Sequence, residues 1–147
     1  MNEIMQLLGA AVGTLAFSVL FGVPAKYYWQ VTFVGTIGML AYLLLVLIGV
    51  RADAAIFFGT AAVTLSARFC AVWYYCPVTV FVTAGLFPLV PGGGIYKTFY
   101  YLITEQYGAA LNAGAQALRS VVIIVLAIVL VLEIPSSFFD LRTKMKT

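Results

Sequence analysis

Residues 86–101 read Leu86-Phe87-Pro88-Leu89-Val90-Pro91-Gly92-Gly93-Gly94-Ile95-Tyr96-Lys97-Thr98-Phe99-Tyr100-Tyr101, and they interrupt a chain whose other segments are apolar over membrane-crossing lengths. Neither proline can donate a backbone hydrogen bond, and glycines lose the most backbone entropy on ordering, so no straight helix continues through this stretch. In hydrocarbon each unpaired backbone group costs several kcal/mol, so such a break survives only against protein or a water-filled cavity. Transporters place substrates at broken helices of this kind. The break therefore decides the reading: a membrane protein with one interrupted span, whose interruption is the first place to look for function.

The flanking sequence supports this. Of 147 residues, 64% are hydrophobic and 9% charged, with a mean hydropathy of +1.09, far more apolar than a soluble domain. A span takes roughly 20 apolar residues to cross about 30 Å of hydrocarbon, so four or five spans would use most of the chain. The expectation is an all-α integral membrane protein, a single polytopic domain over residues 1–147. Its spans fall near 4–22, 29–50, 54–71, 77–103 (broken at 88–94) and 111–134, with a basic tail at 135–147. As a helix, residues 77–87 reach only about 16 Å, half a bilayer. Four spans plus a re-entrant half-helix is thus the alternative, and the sequence leaves both open.

Small residues mark faces for close helix approach. The first span carries Gly9-x-x-x-Gly13 with Thr14 and Ser18, the second Gly35 and Gly38, and the third Ala55, Gly59 and Val63 at four-residue spacing. Tyr27, Tyr28 and Trp29, then Trp73, Tyr74 and Tyr75, read as interfacial aromatics. The net charge of +3 is too small and scattered to suggest nucleic acid. Arg142, Lys144 and Lys146 suit a cytoplasmic C-terminus beside anionic lipid. With five spans and the N-terminus outside, Lys26, Arg68 and this tail lie on the cytoplasmic side, while Arg51, Lys97 and Arg119 lie outside or embedded. The N-terminal apolar run carries Glu3 and no basic residue, and so reads as a retained span rather than a signal peptide.

The chain has no histidine, and Cys70 and Cys76 are its only cysteines. That excludes a Cys/His metal site and a histidine-based triad, and the two thiols read as small buried side chains. No nucleophile–base pair or P-loop is present, so neither catalysis nor a cofactor is expected.

Two groups of residues are candidates for transport chemistry. At the break, Pro88, Pro91, Gly92, Gly93, Gly94, Tyr96 and Lys97 form the first group. A helix starting after Gly94 would offer free N–H groups and a positive dipole end to a carboxylate, with Lys97 adding charge. The competing reading is a surface turn with Lys97 as an interfacial anchor. Thr83, Arg68, Glu105, Asn112, Gln116 and Arg119 form the second group, a possible polar path or coupling set. Glu105 is the only acid between Asp53 and Glu133, which makes it the leading proton-coupling carboxylate, or else an exposed loop charge. Asn112 and Gln116, one turn apart, line a path or bond a neighbouring helix.

The segment Phe87-Pro88-Leu89-Val90-Pro91-Gly92-Gly93-Gly94-Ile95-Tyr96 resembles the signature of the threonine/serine exporter (ThrE) family, in particular its small YjjB-type membrane subunit. Phe17-Ser18-Val19-Leu20-Phe21-Gly22-Val23-Pro24, Gly35-Thr36-Ile37-Gly38 and Pro77-Val78-Thr79-Val80-Phe81 match the same pattern in order. The resemblance implies a bacterial inner-membrane exporter of small carboxylates, either threonine and serine or a succinate-like dicarboxylate. It also implies a separate, larger YjjP-type membrane subunit as partner. The rival expectation is a non-transporting assembly subunit that docks the substrate-binding partner through its Pro–Gly loop.

Overall fold

The structure, a computed structural model, describes residues 3–135; most of the expected basic tail, with Arg142, Lys144 and Lys146, lies outside the described residues. Those described form six α-helices and no strand: α1 (Glu3–Leu20), α2 (Tyr28–Leu47), α3 (Ala52–Tyr74), α4 (Thr79–Gly85), α5 (Gly92–Ile103) and α6 (Tyr107–Leu132). Single 3-10 turns at Ala25–Tyr27 and Phe87–Leu89 precede α2 and α5. Helices α1, α2, α3 and α6 are long and apolar enough to cross a membrane. A fifth crossing is made if α4, its following turn and α5 count as one span, bent by 56°. The expected fold class, all-helical with one broken element, is the one observed.

Without a hydrophobic gain between helices in lipid, close van der Waals contact holds a bundle together, and small residues permit it. Helices α2 and α3 meet at Gly38 and Gly59. The Gly38 carbonyl oxygen lies 3.1 Å from where a Gly59 Cβ would sit, and the Gly59 carbonyl oxygen 3.2 Å from the corresponding Gly38 position. Ala55 and Val63, one turn to either side of Gly59, are buried with it. Helix α1 packs on α2 by setting Thr14 against Gly35. The buried hydroxyls of Thr14 and Ser18 donate to the carbonyls of Ala10 and Thr14, each at 2.7 Å, so these polar groups enter the core satisfied.

The short α4 fills the space between α2 and α3 with Phe81, Ala84 and Gly85. Phe81 is fully buried, edge-on to Tyr27 at 5.7 Å, in a core with Val31, Val34, Val63, Ala67 and Leu89. At the same end of the bundle Gln30 of α2 hydrogen-bonds Tyr74 of α3, beside the aromatic residues read as an interfacial belt.

Charge contacts orient α6. Arg119 pairs with Asp53 in the first turn of α3, and Arg68 donates to the carbonyls of Val131 and Leu132 at the end of α6. The two helices therefore run parallel, and about three turns of α6 stand beyond the start of α3. Helix α5 lies antiparallel on that extension, with Gly94 against Ala117 and Thr98 against Gly114. Gly94 lacks room for more, since an added Cβ would come within 3.1 Å of the Ala117 Cβ.

Candidate functional site

The break is built step by step from its sequence. Helix α4 ends at Gly85, which sits beside Val34, Gly35 and Val63 with no space for a larger side chain. Pro88 enters the 3-10 turn, closed by Leu89 N–H to Leu86 O at 2.9 Å and Val90 N–H to Phe87 O at 3.2 Å. Val90 is extended at φ −64°, ψ 132°, as a residue before proline should be. Pro91 then caps α5. Phe87 stacks on Phe17 of α1 and Leu89 is buried near Gly59, so the break is anchored to α1 and α3.

One expectation about this segment needs correction. Helix α5 begins at Gly92, three residues before a start after Gly94. The Gly92 N–H donates to Val90 O at 2.7 Å, and those of Gly94 and Ile95 share Pro91 O at 3.1 Å. Proline 91 supplies the carbonyl that closes the first turn early, so most of the amides expected to face a carboxylate are already bonded. Lys97 and Tyr96 are exposed on α5, and Gly92 and Gly93 are exposed with no atom near a potential Cβ.

Beside the break lies a cleft of about 360 Å³, within the usual range for small-molecule sites. It is lined by Gln6, Gly9, Ala10, Gly13 and Phe17 of α1, by Met39 of α2, and by Phe87 and Pro88 of the break. Gly9 and Gly13 have nothing within 4 Å of a potential Cβ. Their spacing had suggested a helix–helix contact, but within this chain they face open space. Two other grooves, about 400 Å³ at Trp29, Phe33, Phe69 and Trp73, and about 500 Å³ along α5 and α6, do not include the break.

Of the residues expected at the site, Pro88 lines this cleft, whereas Pro91, Gly92, Gly93, Gly94, Tyr96 and Lys97 follow it on the α5 side. The second group is not brought together. Thr83 is exposed and bonds its own helix at the Thr79 carbonyl. Asn112 and Gln116 are exposed on α6. Arg68 and Arg119 bind opposite ends of the α3–α6 contact. Glu105 sits in the turn between α5 and α6 at φ 59°, about 21 Å of helix rise from Arg119. Exposed, and separated from the break by the full length of α5, Glu105 should be dispensable: Glu105→Gln is expected to change the export that the resemblance implies by less than about twofold, near the limit for a surface substitution. Export by Glu105→Gln cells, compared with wild type, checks this.

Sequence reasoning gave Asp53 no role at the site. In the structure it joins Arg51, at 3.6 Å, to Arg119 on α6. The signal was available, because a first-turn acid on one helix is the natural partner of a cation stranded on another. The pair is partly solvated, with side-chain exposures of 32% and 60%, which limits its worth to about 1 kcal/mol. It guides how α6 sits rather than holding it there.

A bundle of helices long and apolar enough to cross a membrane, with one bent pair beside a small cleft, has the architecture of a multi-pass membrane protein. The model of the threonine/serine exporter (ThrE) family matches residues 6–134, and the chain belongs to that family of transporters. No curated protein and no solved structure matches it.

Proposed function

We propose that this chain is a membrane subunit of a bacterial inner-membrane exporter that moves threonine, serine or a succinate-like dicarboxylate through the cleft beside Pro88. The observation that carries the reading is the pair Gly9 and Gly13, which no packing contact requires, facing the broken helix across a space of small-molecule size. The cleft wall at Phe87 and Pro88 belongs to a 3-10 turn with few internal bonds, so it is the element best suited to shift as access alternates. Lys97, exposed on the α5 side of the break, is the cation nearest in sequence for the charged substrate. Coupling to the proton gradient is part of the same proposal, as is a cytoplasmic C-terminus. Lys26 and Arg68 at one end of the bundle, apart from Arg51 and Arg119 at the other, support that orientation under the positive-inside tendency.

A larger membrane subunit is proposed as partner. Helix α5 has no buried residue and packs chiefly on α6, leaving Tyr96, Phe99, Tyr100 and Ile103 uncovered. This favours a variant of the second reading, in which α5, beside the Pro–Gly loop, docks the partner and the partner holds the substrate.

The test is efflux of labelled threonine, serine and succinate from preloaded cells lacking their own exporters, with this chain alone and with a candidate larger subunit. Gly13→Leu fills the cleft without an intrachain clash. It is expected to insert normally, to keep its complex with the larger subunit, and to export several-fold more slowly. Unchanged export by Gly13→Leu would sink the cleft as the route and leave the docking reading.

A further inference from the structure

Thr60 on α3 is fully buried, and its hydroxyl has no hydrogen-bond partner among the described residues. Comparable residues behave otherwise. Thr14, Ser18, Thr36, Thr64 and Ser66 each donate to the carbonyl four residues earlier in their own helix. That back-bond is open to a helical threonine through rotation about χ1. A buried hydroxyl left without one works against the fold, and native proteins retain few such groups.

Helical register locates it. Asp53 and Arg68 both reach α6, and positions 60 and 64 continue the same stripe of α3 between them at helical spacing. On the adjoining face, Val63 and Ala67 pack into the core with Phe81 and Leu89, which flank the break. Along the axis Thr60 follows Gly59, whose potential Cβ lies 3.5 Å from Leu89 Cδ1. By helical register Thr60 lies on the side of α3 between the Gly59 face, which meets Leu89 of the break, and the stripe that meets α6.

We infer that the Thr60 hydroxyl is a hydrogen-bonding group of the transport path, engaging the charged end of a threonine or serine molecule when the segment from Phe87 to Pro91 moves away from α3. The inference rests on the exporter reading above and adds a residue that the resting cleft does not include. A hydroxyl suits the task, since it donates to a carboxylate and accepts from an ammonium group. In the structure it goes unpaired among the described residues, and a fold that keeps such a group calls for a reason beyond packing.

The experiment compares Thr60→Val, which keeps the shape and removes the hydroxyl, with Thr60→Ser, which keeps the hydroxyl. Each full-length variant is assayed for threonine and serine efflux with its subunit partner present, and for Tm after purification. If the hydroxyl serves transport, Thr60→Val keeps or raises Tm while efflux efficiency for both amino acids falls by about tenfold, as expected for one lost polar contact, and Thr60→Ser restores most of it. Wild-type efflux kinetics in Thr60→Val overturn the inference. So does a lower Tm in Thr60→Val, which would mean the hydroxyl holds a buried water as a structural group. Failure of Thr60→Ser to recover efflux overturns it as well. A wild-type chain that exports neither amino acid fails the exporter reading itself, and is told apart from all of these by that control.

Discussion

Gly38→Leu should yield little or no folded protein. A Cβ at position 38 collides with Val63 Cγ2 and lies 3.2 Å from the Gly59 carbonyl oxygen. Neither obstacle can yield cheaply. Val63 is fully buried and β-branched, so its χ1 is restricted, and the carbonyl belongs to the facing helix backbone. Relief would require α2 and α3 to separate, and that separation would also part the core in which Val34 and Val63 hold Phe81 and Leu89. Adding methylenes to a well-packed core typically costs 1–3 kcal/mol, and a leucine placed against backbone should cost at least about 3 kcal/mol. Size-exclusion profile and Tm in detergent are the measurements. Gly38→Ala should be intermediate, and Gly9→Leu, on an open face, should match wild type. A monodisperse Gly38→Leu protein with wild-type Tm would mean that α2 and α3 do not cross here.

The second large effect is on Arg68. Its guanidinium donates to the Val131 and Leu132 carbonyls, two of the four acceptors that every helix end leaves without an internal partner. It also places a cation at the negative end of the α6 dipole. Charged hydrogen bonds of this kind are worth about 1.5–3 kcal/mol when lost. Arg68→Leu is therefore expected to lower Tm by about 5 °C for a chain of this size. Arg68→Lys should recover only part, because a point charge cannot reproduce the planar fork of donors. Export should fall only in proportion to the folded protein remaining. Lost export at unchanged Tm would instead give Arg68 the transport role that the sequence had left open.

These two positions show what could be read in advance. Gly35, Gly38 and the stack Ala55, Gly59 and Val63 announced close helix contact by spacing alone, and each packs between helices. The break was equally legible, since proline without a donor and consecutive glycines leave the chain no regular alternative. Gly9 and Gly13, four residues apart, carried as strong a small-residue signal as Gly35 and Gly38, three apart, yet face open space within the described residues, because such spacing records that approach is possible and not what approaches. Asp53, Arg68 and Arg119 looked like isolated charges near apolar runs. Their pairings join residues 66 and 63 positions apart, a separation over which periodicity carries no information.

By itself, then, the sequence determined the helical membrane class, the broken element and the small faces that permit its packing, since these follow from bilayer thickness, backbone hydrogen bonding and local side-chain volume. Only the tertiary structure decided that α6 runs parallel to α3, that the break borders a cleft walled by α1, and that Thr60 is buried without a partner among the described residues. Those features depend on which surfaces meet, and a helix pattern repeats the same face to every candidate neighbour until packing selects one.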